Sequence, residues 1–267
     1  MRAKKRFGQH FLHHRSYLER IADALAPAPG DPVLEIGPGQ GALTEVLVER
    51  GAVVTAVEKD RDLVPLLAAR LPEVRVVEHD ALELDWRDAV GVAPGDPLLI
   101  TGNIPYNITT PLLDKALAPP RPTRIVFLVQ REVADRLAAP AGSEAYGGLS
   151  VGVQAVARVE KLFTIPAGAF HPPPNVHSAV VRITPLAAPA VRDDQVGIFR
   201  RLVVGLFGFR RKQLVRGLRE LTGWPAERAG RILTRAALEA AVRPEAVDPA
   251  GFVRLLAVLI DEEWTPG

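Results

Sequence analysis

The 267-residue chain contains no cysteine, one methionine and six histidines. The absence of cysteine excludes disulfides and thiolate metal sites. No histidine pair has zinc-ligand spacing with a nearby glutamate, and the adjacent His13 and His14 would point in different directions on a helix, so we expect no metal. No apolar run reaches the roughly 18 residues of a membrane-spanning helix. The basic start also lacks the apolar core of a signal peptide. We therefore expect a cytoplasmic protein without a membrane partner.

Asparagine is scarce as well, and its positions are informative. The chain has three asparagines, and two of them lie in the stretch Leu-Ile-Thr-Gly-Asn-Ile-Pro-Tyr-Asn at residues 99–107. A short apolar run that ends in turn residues is typical of a buried strand. Open α/β sheets bind their ligands at the carboxyl ends of such strands. We therefore predict a functional site that includes Asn103, Ile104, Pro105 and Tyr106.

Charge is unevenly distributed along the chain, although the formal net charge is only +2. Residues 1–20 carry a net charge of +5 and residues 192–243 carry +7, whereas residues 21–191 carry −6. Separate basic segments of this kind are typical of proteins that bind polyanions. Solvated basic helix faces remain the alternative. The candidate nucleic-acid contacts are Arg2, Lys4, Lys5, Arg6, Arg210, Arg211 and Lys212.

Strands and helices are predicted to alternate through the first two thirds of the chain. The predicted strands are residues 32–36, 53–57, 74–78, 98–101, 124–129, 152–159 and 176–183. A helix capped by Ser16 is predicted before the first strand, at residues 16–25, and helices between the strands are predicted at residues 42–50, 63–70 and 132–137. After Pro185 only helical patterns follow. We therefore expect an α/β fold, with a Rossmann-like domain at residues 1–185 and a smaller all-α domain at residues 186–267.

A glycine-rich loop follows the first of these predicted strands. Gly37, Gly39 and Gly41 stand at alternate positions, where glycine lets the backbone turn sharply and approach a ligand closely. The spacing G-x-G-x-G does not match the G-x-G-x-x-G of dinucleotide-binding proteins. Taken alone, the loop leaves open an ordinary strand-to-helix turn.

Polar side chains at the ends of the other strands favour a ligand-binding loop over an ordinary turn. Glu58 lies about twenty residues beyond the loop, where an acid typically binds the ribose hydroxyls of a nucleoside. Asp80 follows the third strand and Asn103 ends the fourth. With the glycine loop, these residues place polar groups at four successive strand ends. This arrangement predicts a cofactor that contains a nucleoside.

Seven short motifs occur in order along the chain, namely FGQHFL at residues 7–12, EIGPG at 35–39, GNIPYN at 102–107, QREVA at 130–134, YGGLS at 146–150, FHPPP at 170–174 and FGFRRK at 207–212. They resemble the motifs of the ribosomal RNA adenine N6,N6-dimethyltransferases, which use S-adenosylmethionine. The resemblance implies S-adenosylmethionine as cofactor and a Rossmann-like methyltransferase domain. The implied cofactor contacts are His10, Leu12, Gly37, Gly39, Glu58, Asp80 and Asn103. The family commonly has asparagine where this chain has His10, so a backbone contact carries over more safely there.

The resemblance also implies a substrate, namely two adjacent adenosines in the 3′-terminal hairpin of 16S rRNA, dimethylated during 30S biogenesis. We expect the enzyme to act as a monomer. The Asn103 side-chain oxygen and the Ile104 carbonyl, aimed by Pro105, would accept the two hydrogens of the adenine amine. Tyr106 and Phe170 would sandwich the flipped base. Phe170 has an alternative interpretation as a core residue beside a proline turn.

Three other functions are compatible with parts of this pattern. One is methylation of an adenine in large-subunit rRNA, the antibiotic-resistance type of the same reaction. Another is a DNA or protein methyltransferase with an Asn-Pro-Pro-Tyr motif, although Ile104 stands where its first proline would be. The third is a non-catalytic RNA-binding factor in ribosome assembly. That interpretation predicts damage to the glycine loop or to Asn103, and both are intact.

Overall fold

The computed structural model of the protein describes residues 9–265. Its contacts divide the described residues into two compact units, one within residues 1–134 and 159–185 and the other within residues 135–158 and 186–267. The predicted domain boundary after residue 185 stays a prediction. In these contacts, residues 135–158 group with the C-terminal helices.

A mixed sheet forms the centre of the first unit. In chain order, the strands of the described residues are β1 (Phe11–Leu12), β2 (Pro32–Ile36), β3 (Val53–Glu58), β4 (Arg75–Glu78), β5 (Leu99–Asn103), β6 (Arg124–Gln130), β7 (Ala157–Ile165), β8 (Phe170–His171) and β9 (Ser178–Pro185). Seven of them make one sheet in the order β4-β3-β2-β5-β6-β9-β7. The first five are parallel, and β9 runs antiparallel to β6.

The helices follow the strands in the alternation that the sequence predicts. They are α1 (Arg15–Leu25), α2 (Ala42–Glu49), α3 (Val64–Arg70), α4 (Trp86–Val90), α5 (Thr109–Ala116), α6 (Arg131–Ala138), α7 (Gly148–Gln154), α8 (Val196–Gly208), α9 (Leu214–Thr222), α10 (Ala226–Arg235) and α11 (Pro249–Asp261). Among residues 9–265, none of these helices has the length and apolar character needed to span a membrane.

The register of the parallel strands brings their carboxyl ends to one edge of the sheet. Ile36 of β2 lies opposite Val57 of β3 and Gly102 of β5. The central strands are almost continuously apolar, as expected for parallel strands that are buried on both faces. The polar residues that end β3 and β5, Glu58 and Asn103, therefore lie beside the loop that follows β2.

A short two-stranded ribbon fixes the N-terminal segment near this edge. β1 pairs antiparallel with β8, so that Leu12 lies opposite Phe170. Both side chains are buried in the core cluster beside Leu18 and Ile21 of α1. The pairing holds the residues just before β1, including His10, close to the carboxyl ends of the sheet.

Two local predictions were wrong. Helix α1 begins at Arg15 after an N-cap at His14 that makes no side-chain cap bond, so Ser16 is inside the helix. Residues 152–159 were predicted as a strand, but residues 148–154 form α7 and the strand starts only at Ala157. In α7, Val151 and Val153 are buried and the helix packs on α8, so tertiary packing overrides the strand preference of valine.

The second unit consists mainly of helices α7 to α11. The Tyr146 hydroxyl donates a hydrogen bond to the Val247 carbonyl at 2.9 Å. Its ring contacts Phe207, which in turn stacks on Phe252 of α11. Tyr146 and Phe252 are buried and Phe207 is half-buried, and the packing of the three rings stabilises the helical unit.

Candidate functional site

A cavity of about 530 Å³ lies at the carboxyl edge of the sheet, within the first unit. Its walls come from the segment before α1, the loop after β2, the ends of β3 and β4, and the residues that follow β5. The predicted site residues that line it are His10, Leu12, Gly37, Gly39, Glu58, Asp80, Asn103, Ile104, Pro105 and Tyr106. The structure thus brings together residues that are up to 96 positions apart in the chain.

The loop after β2 approaches the end of β3 through main-chain hydrogen bonds. The Gly37 N–H donates to the Val57 carbonyl at 2.9 Å, and the Gly39 N–H donates to Oε2 of Glu58 at 3.1 Å. Gly39 has a φ of +59°, and a Cβ there would lie 2.9 Å from the Phe11 ring. Only glycine fits both the backbone angle and the space.

Glu58 ends β3 with a buried carboxylate that is already partly engaged. Besides the Gly39 N–H, it accepts the N–H of Asp60 at 2.8 Å through Oε1. Burial raises the pKa of Glu58, and these main-chain hydrogen bonds oppose the shift because they favour the charged form. The carboxylate is held rigidly at the wall of the cavity, where it can accept hydrogen bonds from the hydroxyls of a ribose.

Glu35 of β2 is a cavity residue that the sequence analysis did not assign to the site. Its side chain is 2% exposed, and within residues 9–265 its Oε2 has no hydrogen-bond partner. Burial raises the pKa of Glu35 to about 7; the Thr44 hydroxyl nearby lowers it and the charge of Glu58 raises it further. The hydroxyl does not reach hydrogen-bond geometry with the carboxyl. The sequence signal was the acid two residues before the glycine loop, which gave no indication of its burial.

Asp80 lies at the rim of the cavity after β4. Its Oδ1 accepts the Leu82 N–H at 2.9 Å, and its Oδ2 accepts from the Lys59 ammonium at 2.5 Å. Burial alone would raise its pKa, but the Lys59 ammonium and the Leu82 N–H outweigh it and hold the pKa of Asp80 below its ordinary value. Asp80 is therefore an ionised hydrogen-bond acceptor that forms an ion pair with Lys59.

The Asn103 side chain is oriented by the backbone of the N-terminal segment. Its Nδ2 donates to the His10 carbonyl oxygen at 2.7 Å. Because a carbonyl can only accept, the amide must face it with its nitrogen, and the Oδ1 acceptor is left for another donor. Asn103 lies in the cavity wall, so this acceptor is available to a ligand that carries an N–H group.

Tyr106 presents a half-buried ring two residues after the buried Ile104. Its hydroxyl hydrogen-bonds with the Ser178 hydroxyl at 3.1 Å, and burial raises its pKa. The His10 ring stacks against it, with centroids 6.1 Å apart and planes at 25°. Nδ1 of His10 lies 2.8 Å from the Pro172 carbonyl, and since that oxygen only accepts, Nδ1 carries the proton.

Phe170 does not take the place predicted for it. Its ring is 3% exposed, belongs to the core cluster and is absent from the cavity wall. The pairing of β8 with β1 turns this side chain inward, next to Leu12. The ring that contacts Tyr106 is that of His10, and the core interpretation of Phe170 applies.

The basic residues predicted to contact nucleic acid have different surroundings. Arg210 pairs with Glu245 and Lys212 pairs with Glu220, at 2.8 and 2.7 Å. Arg211 is exposed, and in the described part of the chain it forms no ion pair. Arg2, Lys4, Lys5 and Arg6 lie outside the described residues.

The cavity fits S-adenosylmethionine by its charges and hydrogen-bonding groups. The Oε2 acceptor of Glu35, for which the described residues offer no donor, suits a cationic ligand, and the Glu58 carboxylate suits a ribose.

Two solved structures resemble the whole chain. The 23S rRNA methyltransferase ErmE is 28% identical with a TM-score of 0.73, over 94% of this chain and 99% of that chain. A dimethyladenosine transferase from Plasmodium falciparum has a TM-score of 0.77 at 24% identity, over 95% and 98%. Fold and site define a Rossmann-like, S-adenosylmethionine-dependent methyltransferase.

The sequence comparisons then place the chain within that class. The family model for ribosomal RNA adenine dimethylase matches residues 1–242, and the chain belongs to this family. A relative from Hahella chejuensis is 40% identical over 97% of this chain and 93% of its own length. One from Pseudomonas aeruginosa is 43% identical over 95% and 93%. Both relatives are named ribosomal RNA small subunit methyltransferase A.

Proposed function

We propose that this enzyme dimethylates N6 of two adjacent adenosines in the 3′-terminal hairpin of 16S rRNA, using S-adenosylmethionine. The substrate is the 30S subunit during its biogenesis, and the enzyme acts in the cytoplasm as a monomer. The observation that carries the proposal is the oriented Asn103 amide, because it leaves a fixed hydrogen-bond acceptor in the cavity wall. The names of the relatives, both small-subunit methyltransferases, support this substrate over large-subunit rRNA.

The residues of the cofactor half hold the ligand by charge and hydrogen bonding. Glu58 binds the ribose hydroxyls, Asp80 accepts from the adenine amine of the cofactor, and Glu35 provides a negative charge near its cationic part. Gly37 and Gly39 let the backbone approach closely, while His10 and Leu12 close the cavity from the N-terminal side. When bound, S-adenosylmethionine supplies a methyl group that its sulfonium already activates.

The acceptor half must make an adenine amine nucleophilic. The N6 lone pair is delocalised into the ring, so the amine has to be drawn towards a tetrahedral form. Before the first transfer, Oδ1 of Asn103 accepts one N–H, and the carbonyl of Ile104, in a chain direction fixed by Pro105, accepts the other. N6 releases one of these protons as it gains the first methyl group, so a single N–H is left to be held before the second transfer. The target base stacks on Tyr106, which requires that the base leave its own stack. Because the methyl group is already activated, we expect in-line positioning of the nitrogen to matter more than a strong base.

Methyl transfer to undermethylated 30S particles tests this proposal. Asn103→Ala removes the acceptor, and Asn103→Asp places a carboxylate against the His10 carbonyl and so destroys the oriented donor. We expect both to lower kcat by about 100-fold or more, in line with the loss of one oriented transition-state contact. Asn175→Ala, which changes an exposed asparagine outside the cavity wall, is the matched control and should act like wild type.

The assay uses S-adenosylmethionine with a labelled methyl group. The RNA that receives the label decides between the possible functions. N6,N6-dimethyladenosine in 30S particles supports the proposal. Label in 50S particles or naked large-subunit RNA but not in 30S would assign the resistance-type reaction instead. A protein that binds S-adenosylmethionine and 30S particles without transferring label would be a binding factor.

A further inference from the structure

A row of aromatic rings and one guanidinium group runs along the surface from the cavity. It starts at His13, which lines the cavity, and the His13 and His14 rings lie 4.8 Å apart. The Tyr17 ring stands edge-on to His14 at 6.2 Å. The Arg20 guanidinium lies 5.9 Å from the Tyr17 ring and 3.8 Å over the Phe163 ring. We call His13, His14, Tyr17, Arg20 and Phe163 the aromatic ladder.

Part of the ladder packs on the core cluster, and the rest of it is exposed to solvent. Tyr17 and Phe163 are partly buried and pack against the core cluster. His13, His14 and Arg20 are exposed. Ordering an exposed ring on ligand binding costs little side-chain entropy when neighbouring side chains already restrict its rotamers. The ladder therefore presents a preformed stacking surface.

The electrostatic surroundings leave the positive charge of Arg20 available. Both acidic residues of α1 face an arginine: Glu19 pairs with Arg15 at 3.0 Å, and Asp23 pairs with Arg50 at 2.6 Å. Arg20 itself has no acidic partner within the described residues. A phosphate placed beside the ladder would therefore meet an uncompensated guanidinium.

We propose that the aromatic ladder binds the unpaired RNA nucleotides next to the target adenosine. This inference rests on the proposed function, because a base that enters the cavity leaves its neighbours outside it, and the ladder begins at His13, an exposed residue of the cavity wall. Bases stack on aromatic side chains and on arginine, and every base has a π-face, so binding is neutral to sequence. The Arg20 guanidinium contacts the phosphate chain between the stacked bases.

The test compares the double variant His14→Ala/Arg20→Ala with Arg75→Ala. Both alter exposed side chains, and Arg75 begins β4 at the end of the strand away from the cavity. The probes are 30S particles and a fluorescent RNA oligonucleotide in which the target adenosine is unpaired, each at one fixed salt concentration. We expect the double variant to raise the Kd for both probes by about tenfold or more. Arg75→Ala should stay within about twofold of wild type. Tyr17→Leu, which keeps the apolar packing but removes the ring, should also weaken binding.

Calorimetry with S-adenosylmethionine verifies that the cavity of each variant is intact. A double variant that binds RNA as tightly as Arg75→Ala would overturn the proposal. So would photocrosslinks from a 5-iodouridine beside the target adenosine that all map outside residues 13–20 and Phe163. Loss of the proposed function looks different: wild type would then leave 30S particles unmethylated, whatever the oligonucleotide affinities of the variants.

Discussion

At the scale of single residues, the buried Glu35 makes the stability of the protein depend on pH. Its pKa rises from 4.5 to about 7 on folding, so the folded state binds the proton more tightly than the unfolded state. The contribution of this proton to the free energy of unfolding is fully present below pH 4.5 and is lost as the pH rises through 7. We expect Glu35→Gln to stabilise the cofactor-free protein at pH 8 by up to about 3 kcal/mol, and to change little at pH 4.5.

Urea denaturation between pH 4.5 and 8 measures this effect. Glu73→Gln, a change at an exposed carboxyl, is the matched control and should follow the wild-type curve. If Glu35→Gln kept the wild-type dependence on pH, the assigned pKa would be wrong. The same variant should bind S-adenosylmethionine more weakly at pH 8, because the ionised carboxylate is the form that attracts a cation.

The side chain and the backbone of His10 have separable roles. His10→Ala removes the ring beside Tyr106 and the bond to the Pro172 carbonyl, but it leaves the main-chain oxygen that orients Asn103. An aromatic pair contributes about 0.5–1.5 kcal/mol. We therefore expect KM for 30S particles to rise by about 2- to 10-fold, with a smaller change in kcat.

Steady-state methyl transfer distinguishes this result from that of Asn103→Ala, which should lower kcat. His10→Asn restores a side-chain donor but no ring, and it should fall between wild type and His10→Ala. A collapse of kcat in His10→Ala would mean that the side chain itself orients Asn103.

At the scale of secondary structure, the pairing of β2 with β5 depends on a glycine. Gly102 lies opposite Ile36, and a Cβ there would stand 2.4 Å from the Ile36 carbonyl oxygen. Because the obstacle is backbone in the centre of the sheet, Gly102→Ala must push the two strands apart. We expect a loss of about 1–3 kcal/mol in the free energy of unfolding, with methyl transfer reduced as well, since Asn103 follows directly.

Thermal or urea unfolding checks this value against Gly168→Ala, where a Cβ meets no atom within 4 Å. The control should leave stability almost unchanged. Equal stability of the two variants would show that the strands tolerate the added methyl group.

The same scale shows where local pattern fails. The bounds of β2 and α2 follow closely from apolar periodicity and turn residues, since residues 32–36 and 42–50 were predicted and the structure has Pro32–Ile36 and Ala42–Glu49. Residues 148–154 become a helix because their apolar side chains pack on α8, which a local window does not contain. The strands β1 and β8 have two residues each and exist only as partners of one another.

At the scale of the whole molecule, the charge asymmetry predicts binding that depends on salt. In the C-terminal unit, Arg211 is exposed without an ion pair among the described residues, whereas Arg231 pairs with Glu227 at 2.8 Å. We expect Arg211→Ala to weaken binding to 30S particles and to reduce the slope of log K against log salt by about 1.

Binding titrations at several salt concentrations measure that slope. Arg231→Ala is the control, because the charge that it removes is already compensated by Glu227. The two variants should differ in slope; identical slopes would count against a phosphate contact at Arg211.

The sequence alone determined the alternation of strands and helices, the glycine loop, the acids at the strand ends and the Asn-Ile-Pro-Tyr turn. These features depend on residues that are close in the chain, so periodicity and turn chemistry reveal them. Tertiary structure decided the orientation of the Asn103 amide, because the His10 carbonyl that orients it lies 93 positions away in the chain. It also decided the inward placement of Phe170 and the raised pKa of Glu35. Each of these depends on which distant residues pack around a side chain, and burial and hydrogen-bond direction arise only from that packing.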